Sequence, residues 1–485
     1  MSLNVSSDRG YEAVIGLEIH AQLKTQSKMF CSDSTTFEAG DNENTSPVSV
    51  GLPGSLPVVN KKAIEFSVKT GLALGCQIRR TSVFSRKNYF YPDLSKGYQI
   101  SQYDLPICYN GGVRIKTENG FKRIPIERAH MEEDAGKSTH QGDYTLINYN
   151  RAGIPLLEIV SGPDMHSAIE AANYARTVWQ IVRYLGVCDG NLEEGSLRCD
   201  VNVSVRKIGV EKLGTKVEIK NINSFRFIEK AIDFEIERQI DVLESGQKII
   251  QETRLFDPDK NKTFSMRTKE DAQDYRYFPD PDLLPVHLTE EYIENIQKSL
   301  PELPLDRSER FQKTQGLPET DAALLTSEKA LADYFEMAAT QSGNPKATAN
   351  WIMTEVLKEL NASGKSILDC PVSPVHLGKL IHEIDQGQIS GKMAKVIFQE
   401  MWSHPRDPLE IIKEKGLVQI SNTSEIEKIV DQVLKLNVSA VAEYRSGKTK
   451  LLGFFVGAIM KETKGKANPE IVNEILNKKL ANHEG

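Results

Sequence analysis

The sequence predicts an α+β protein in which a mainly antiparallel, strand-built part is followed by a helical one. Three observations carry this expectation. Segments of strict apolar–polar alternation recur up to about Leu288, and beyond it the apolar residues return at helical spacing. At 485 residues the chain exceeds one ordinary core and suggests about three units of ~150 residues.

Composition excludes several classes of protein. A hydrophobic fraction of 39% with 26% charged residues describes a soluble globular chain, and the longest apolar run, Leu451 to Met460, is about half the ~20 residues needed to span a bilayer. The opening MSLNVSSDRGYEA has neither the basic flank nor the apolar segment of a secretory signal, so a cytoplasmic protein without membrane partners is expected. Cysteines at 31, 76, 108, 188, 199 and 370 form no CxxC pair, which argues against a disulfide framework or a cysteine-built zinc site. A net charge of -7 gives no general attraction to nucleic acid, and DNA is not expected as a partner.

Tyr11 to Leu23 alternates, with Ala13, Ile15, Leu17, Ile19 and Ala21 on one face and Glu18, His20 and Gln22 on the other. The Ser-, Asn- and Pro-rich Phe30 to Asn60 reads as loop and leads into a helix over Lys61 to Leu74, stopped by Gly75. Lys87 to Gln102 sets three tyrosines beside lysines, a mixture suited to a nucleotide base or an RNA end, and equally to a sheet edge. Val113 to Ile126 reads as a hairpin turned by Asn119-Gly120.

The hairpin delivers the chain into Arg128 to Thr139, RAHMEEDAGKST, which concentrates imidazole, carboxylates and a lysine with almost nothing apolar between them. Taken alone it reads as a solvated charged loop. After a strand over Tyr144 to Tyr149, Arg151 to Ser161 buries Glu158 in an apolar strand, which calls for a cation beside it. Ser167 to Leu185 is an amphipathic helix opened by a Ser167–Glu170 capping box.

Asn191 to Arg206 shows the cleanest alternation in the chain. Leu197, Cys199, Val201, Val203 and Val205 face a core, and Ser196, Arg198, Asp200, Asn202 and Ser204 face the other way. Cys199 is therefore discounted as a nucleophile. Lys216 to Lys220 repeats the pattern with Glu218 between two lysines, and Glu252 to Pro285 continues it. Among the helices that follow, one starts at Ser373-Pro374 and another is capped by Ser424 and Glu427. Glu443 to Asn468 carries six basic residues against two acidic ones, a local +4 suited to a phosphate backbone.

Gly136-Lys137-Ser138 and Gly447-Lys448-Thr449 imitate a phosphate-binding loop. The motif needs a further glycine five residues earlier, where Met131 and Ala442 stand, so a P-loop NTPase is rejected.

The motifs VIGLEIHAQLKT, KNYFYPDLSKGYQISQYDLPI, HMEEDAGKS, IPLLEIVS, EEGSLRCDVNVSVR, DYRYFPDPDLLP and KGKANPEIVNEIL, in this order over nearly the whole chain, resemble the B-subunit family of the aspartyl/glutamyl-tRNA amidotransferases. The resemblance implies a cradle-shaped catalytic domain over 1–295, a helical domain over 296–405 and a tRNA-binding tail over 406–485. It also implies amidation of misacylated tRNA, with ATP as substrate and Mg2+ (or Mn2+) as cofactor. The implied partners are an amidase (the A subunit) that supplies ammonia, a small C subunit, and aminoacyl-tRNA.

By that resemblance Glu18, His20, Glu133 and Glu158 are metal ligands, with Glu132 or Asp134 as alternatives to Glu133. Glu133, Glu132, Lys220 and Arg198 are the candidates for catalysis, Arg198, Asp200, Glu194 and Glu218 for nucleotide or acyl-phosphate contact, and Lys448, Lys450, Lys461, Lys464 and Lys466 for tRNA contact. One departure stands out: the zinc knuckle of many relatives falls here on Cys31, Asp33, Ser46 and Ser49, so no zinc is expected and the loop must be ordered by packing alone. The same acids and imidazole would also suit a metal-dependent hydrolase, and the basic tail a non-catalytic RNA-binding subunit.

Overall fold

Tyr11–Gln22 is a twelve-residue strand in the middle of a nine-stranded sheet. The computed structural model describes residues 8–268, 274–417, 423–463 and 466–481. Across the sheet the strands run in the order Lys262–Thr268, Glu252–Asp257, Val217–Lys220, Leu197–Lys207, Tyr11–Gln22, Pro155–Ser161, Gly120–Glu133, Cys108–Thr117 and Gln77–Ile78. Every neighbouring pair is antiparallel except Val217–Lys220 with Glu252–Asp257. The expected α+β class, sheet first and helices after, is the observed one.

The sheet has two unlike faces because strand side chains alternate and the apolar set is in phase on neighbouring strands. Ile15, Leu17 and Ile19 share one face with Val201, Val203, Leu157, Ile159, Ala129 and Met131, all buried. On that face pack the helices Lys61–Ala73, Ala168–Tyr184 and Phe225–Glu244, through residues such as Val68, Val178, Val182, Ile228 and Ile232. Cys199 lies in the same core, 3% exposed, and burial pushes its thiol well above the ordinary range.

Local signals are met with small shifts. The side chain of Asn60 caps the first helix and Ser167 accepts from the Glu170 amide. The hairpin turns at Glu118-Asn119, one residue early, and of the expected pair only Gly120 takes a positive φ, 110°. Arg128 to Thr139 is strand at both ends rather than loop: its first half completes Gly120–Glu133, and Lys137–Gln141 pairs with Tyr144–Asn148 in an exposed two-stranded ribbon.

The chain divides into two compact units, Met1–Leu303 and Pro304–Gly485. Within the second, helices from Pro304–Gln315 to Pro408–Lys415 enclose one apolar cluster around Phe335, Leu377 and Phe398. Thr423–Leu436, Leu452–Glu462 and Pro469–Ala481 enclose a separate one around Val430, Phe455 and Leu476. Ser373 caps its helix as expected, whereas Ser424 lies inside the first turn of Thr423–Leu436, whose cap falls outside the described residues.

One buried polar knot ties the edge of the sheet to its helix. Glu235, 0% exposed, accepts from Arg238 (2.6 Å), Gln239 (2.9 Å) and Thr263 (3.0 Å), and Arg254 lies 3.5 Å away. Glu235→Ala removes the acceptor of both Arg238 hydrogen bonds and of the buried Gln239 and Thr263 donors, and costs about 3 kcal/mol. Chemical denaturation is expected to show the loss as a lower midpoint for the first unit at unchanged slope.

Candidate active site

The open, polar face of the sheet is assembled by register. His20 pairs across the ladder with Glu158 on one side and Arg198 on the other, Glu158 pairs in turn with His130, and Glu18 pairs with Asp200. Paired residues point to the same side of an antiparallel sheet, so four strands deliver one row of imidazoles, carboxylates and a guanidinium. Glu132, two residues beyond His130, joins the row by the same alternation.

Ligand atoms of His20, Glu132 and Glu158 all lie within 4.8 Å of one another. His20 Nε2 stands 3.3 Å from Glu158 and 3.7 Å from Glu132, and His130 Nε2 stands 3.4 Å from Glu158. Both glutamates and His130 are buried, while His20 stays partly open. His130 Nδ1 is buried without a hydrogen-bond partner.

The charges are strongly perturbed. Burial opposes protonation of His20, but the hydrogen bond to Glu158 and the fields of Glu158, Glu132 and Asp200 prevail and raise it to about 9. Burial and the neighbouring Glu158 push Glu132 upward, whereas the two imidazoles outweigh burial at Glu158 and hold it well below the carboxylate range. Glu18 is raised by burial and by the charges of Glu158 and Glu218. Closely spaced carboxylates with an imidazole among them offer a place for a divalent cation, whose charge would relieve this repulsion.

The other sequence candidates divide around this group. Glu133 is on the opposite face by alternation, where it accepts from Lys96 Nζ and from the Ile100 amide (3.0 Å). Asp134 faces Arg198 (3.0 Å), Gln22 (2.7 Å) and Arg151 (3.7 Å); burial acts against its charge, and the two arginines override it and lower its pKa. Glu18 keeps the same face as His20 but donates no atom to the three-residue group, and it accepts from Asn202 at 3.0 Å. Lys220 bridges Asp200 (2.6 Å) and Glu218 (3.1 Å), and Glu194 is exposed in the turn before Leu197–Lys207.

In the second unit Lys448, Lys450 and Lys461 are exposed, Lys448 beside Glu443 at 3.0 Å, and Lys466 donates to the Gly416 carbonyl. Lys464 lies outside the described residues. The loop of Cys31, Asp33, Ser46 and Ser49 is held by more than packing: Ser49 donates to Asp33, the Ser46 amide donates to Ser49, and the fully buried Lys28 ammonium reaches the carbonyls of Asn44 and Tyr149. A network of hydrogen bonds orders it.

Two groups at the site were not singled out as site residues from sequence. His130 carries a period-2 signal, two residues before Glu132, that could have placed it on the same face. Lys87 lies in another part of the chain; burial disfavours its charge, yet the fields of Glu132, two tyrosines and Glu158 raise it. No local spacing predicts that approach.

Residues 13–294 match the GatB/GatE catalytic domain family and residues 333–480 the GatB domain family. A Bdellovibrio bacteriovorus protein, named as the B subunit of aspartyl/glutamyl-tRNA(Asn/Gln) amidotransferase, is 68% identical over 98% of this chain and 100% of its own length. Proteins of the same name from Geotalea daltonii and Persephonella marina are each 55% identical over 97% of this chain and 99% of theirs. With an open strand face built from its most distinctive motifs and relatives matched from end to end, this chain belongs to the GatB family of tRNA amidotransferase B subunits.

Proposed function

We propose that the chain is the B subunit of a glutamine-hydrolysing aminoacyl-tRNA amidotransferase. It converts glutamate on tRNA(Gln) or aspartate on tRNA(Asn) to the amide. Its partners in the cytoplasm are the amidase A subunit, which supplies ammonia, and the small C subunit. The reading is carried by the His20–Glu132–Glu158 group on the open face, in a chain whose relatives bear that name along their full length. Among the described residues no helix is long and apolar enough to cross a membrane.

A carboxylate resists ammonia because attack would have to expel oxide. Transfer of the ATP γ-phosphoryl group to the side-chain carboxylate breaks the bond to ADP and makes phosphate the leaving group. Ammonia then forms the C–N bond as the C–O bond to phosphate breaks, and nitrogen sheds its extra proton. A divalent cation, Mg2+ or Mn2+, neutralises phosphate charge during the transfer when bound.

His20, Glu132 and Glu158 would hold that cation, and the donor set fits one. The carboxylates supply the oxygens that both ions take, and the imidazole tilts the preference toward Mn2+ or is bridged by water. His130 braces Glu158 from the next strand. Arg198, fixed by Asp134, and Lys220, fixed by Asp200 and Glu218, offer cations to phosphate oxygens along the same face. Glu133 supports this wall from behind through Lys96. The three-part division at 1–295, 296–405 and 406–485 assigns catalysis to the first part and tRNA contact to the exposed lysines of the last.

Glu132→Gln is expected to lower the rate of ATP-dependent amide formation about 100-fold or more and to weaken Mn2+ binding tenfold or more, with Glu133→Gln costing less in both. Kinetics on the complete complex and Mn2+ titration by electron paramagnetic resonance give the comparison; the opposite ranking would move the ligand back to Glu133. Because the neighbouring carboxylates raise His20 to about 9, direct binding of a cation to its imidazole displaces a proton. Affinity should therefore tighten as pH rises toward 9 and then level off, with proton release measurable by calorimetry in buffers of different ionisation enthalpy. Replacing Lys448, Lys450 and Lys461 by Ala should raise the KM for aminoacyl-tRNA and flatten its log–log salt dependence by about 2, leaving glutaminase activity unaltered.

A further inference from the structure

Beside the carboxylate and imidazole row stands an aromatic group that the proposed chemistry does not use. Lys87 Nζ lies 4.9 Å from the ring centre of Tyr275 and 5.7 Å from that of Tyr89, and those two rings meet edge-on at 5.7 Å. Tyr277 touches Tyr275 in the same manner at 6.1 Å. Its other neighbour is different: Tyr103 lies flat against it, with ring centres 4.2 Å apart and planes within 6°.

The group is built at a backbone cost. Arg276, between Tyr275 and Tyr277, has φ 42°, a left-handed conformation that a side chain larger than glycine's seldom takes. Asn88 holds it there, its side-chain amide donating to the carbonyls of Tyr275 (3.1 Å) and Arg276 (2.9 Å), and Asp274 accepts from the Arg276 amide. The bend turns two tyrosines of one short segment toward Lys87, which lies in the fields of Glu132 and Glu158. Tyr277 lies in those fields too: burial raises its phenol first, Lys87 works against that, and the two glutamates add to it.

Tyrosines pack against one another both edge-on and stacked, and only a stacked pair presents a ring parallel to the next one. The coplanar pair ends at Tyr103, a residue 56% exposed, and a flat ring can extend such a stack. We propose that the Tyr103–Tyr277 pair seats the terminal nucleoside of the tRNA acceptor end, stacking its base while the attached aminoacyl group reaches toward His20, Glu132 and Glu158. The proposal rests on the reading of the chain as acting on aminoacyl-tRNA. The ester links the amino acid to that same terminal ribose, so a base seat close to the carboxylate row positions the side chain to be phosphorylated. The same stacking chemistry could serve the purine of ATP, and the two sources separate in kinetics.

The test uses the complete complex with glutamyl-tRNA(Gln). Tyr103→Ala is expected to raise the KM for aminoacyl-tRNA about tenfold with the KM for ATP unmoved, and Tyr103→Phe, which keeps the ring, to restore it. Independently, a fluorescent purine analogue at the tRNA 3′ terminus should be quenched on binding the wild-type complex, and less so on binding Tyr103→Leu, which keeps apolar bulk without the ring. A rise in the KM for ATP in place of that for tRNA overturns the proposal, because the seat then takes the nucleotide. Unchanged constants with unchanged quenching overturn it as well, since the pair then only pins its two segments together. Absence of any ATP-dependent amide formation in the wild-type complex would instead overturn the underlying functional reading.

Discussion

The site depends on the double pairing of Tyr11–Gln22. This strand is hydrogen-bonded on both sides, and the two registers set Glu158 and Arg198 at the level of His20. A slip of one residue in either register would send the paired side chain into the helix-covered core. The apolar residues between them enforce the register: Ile15, Leu17 and Ile19 can be buried only when Glu18 and His20 face out. The same burial that stabilises the sheet therefore aims the chemistry.

The open face keeps its charges by mutual compensation. Glu158 is buried but stands between two imidazoles, Asp134 is buried but stands between two arginines, and Lys220 lies between two carboxylates. Each would be costly alone. Glu132 and Glu18 are less fully compensated: burial and like charges push both upward, against His20, Lys87 and His130 at Glu132 and against His20 at Glu18.

Much of the candidate site's layout was legible because it lies on strands. The alternation in Tyr11–Gln22 and Leu197–Lys207 placed Glu18, His20, Arg198 and Asp200 on one face, and the isolated acid in Pro155–Ser161 marked Glu158. The run HMEED defeated that reasoning. Two adjacent glutamates necessarily point to opposite faces, and composition cannot tell which of them faces the helices. The Cα pairing of Glu158 with His130 decides it, turning Glu132 to the open side and Glu133 toward Lys96. The Cys31-to-Ser49 loop misled in another way, because no local pattern of residue types reveals the Ser46–Ser49–Asp33 hydrogen bonds that order it.

By itself the sequence determined the order of sheet and helices, which apolar residues of the alternating strands are buried, the helix caps at Ser167 and Ser373, and, through motifs too long to arise by chance, the family. All of these follow from local periodicity or from linear pattern. The tertiary structure alone decided which glutamate joins His20, that His130 and Lys87 stand beside them, and that Tyr103 lies flat on Tyr277. Those contacts join segments far apart in the chain, and their geometry is set by strand register and by one left-handed residue, quantities that no local pattern of residue types encodes.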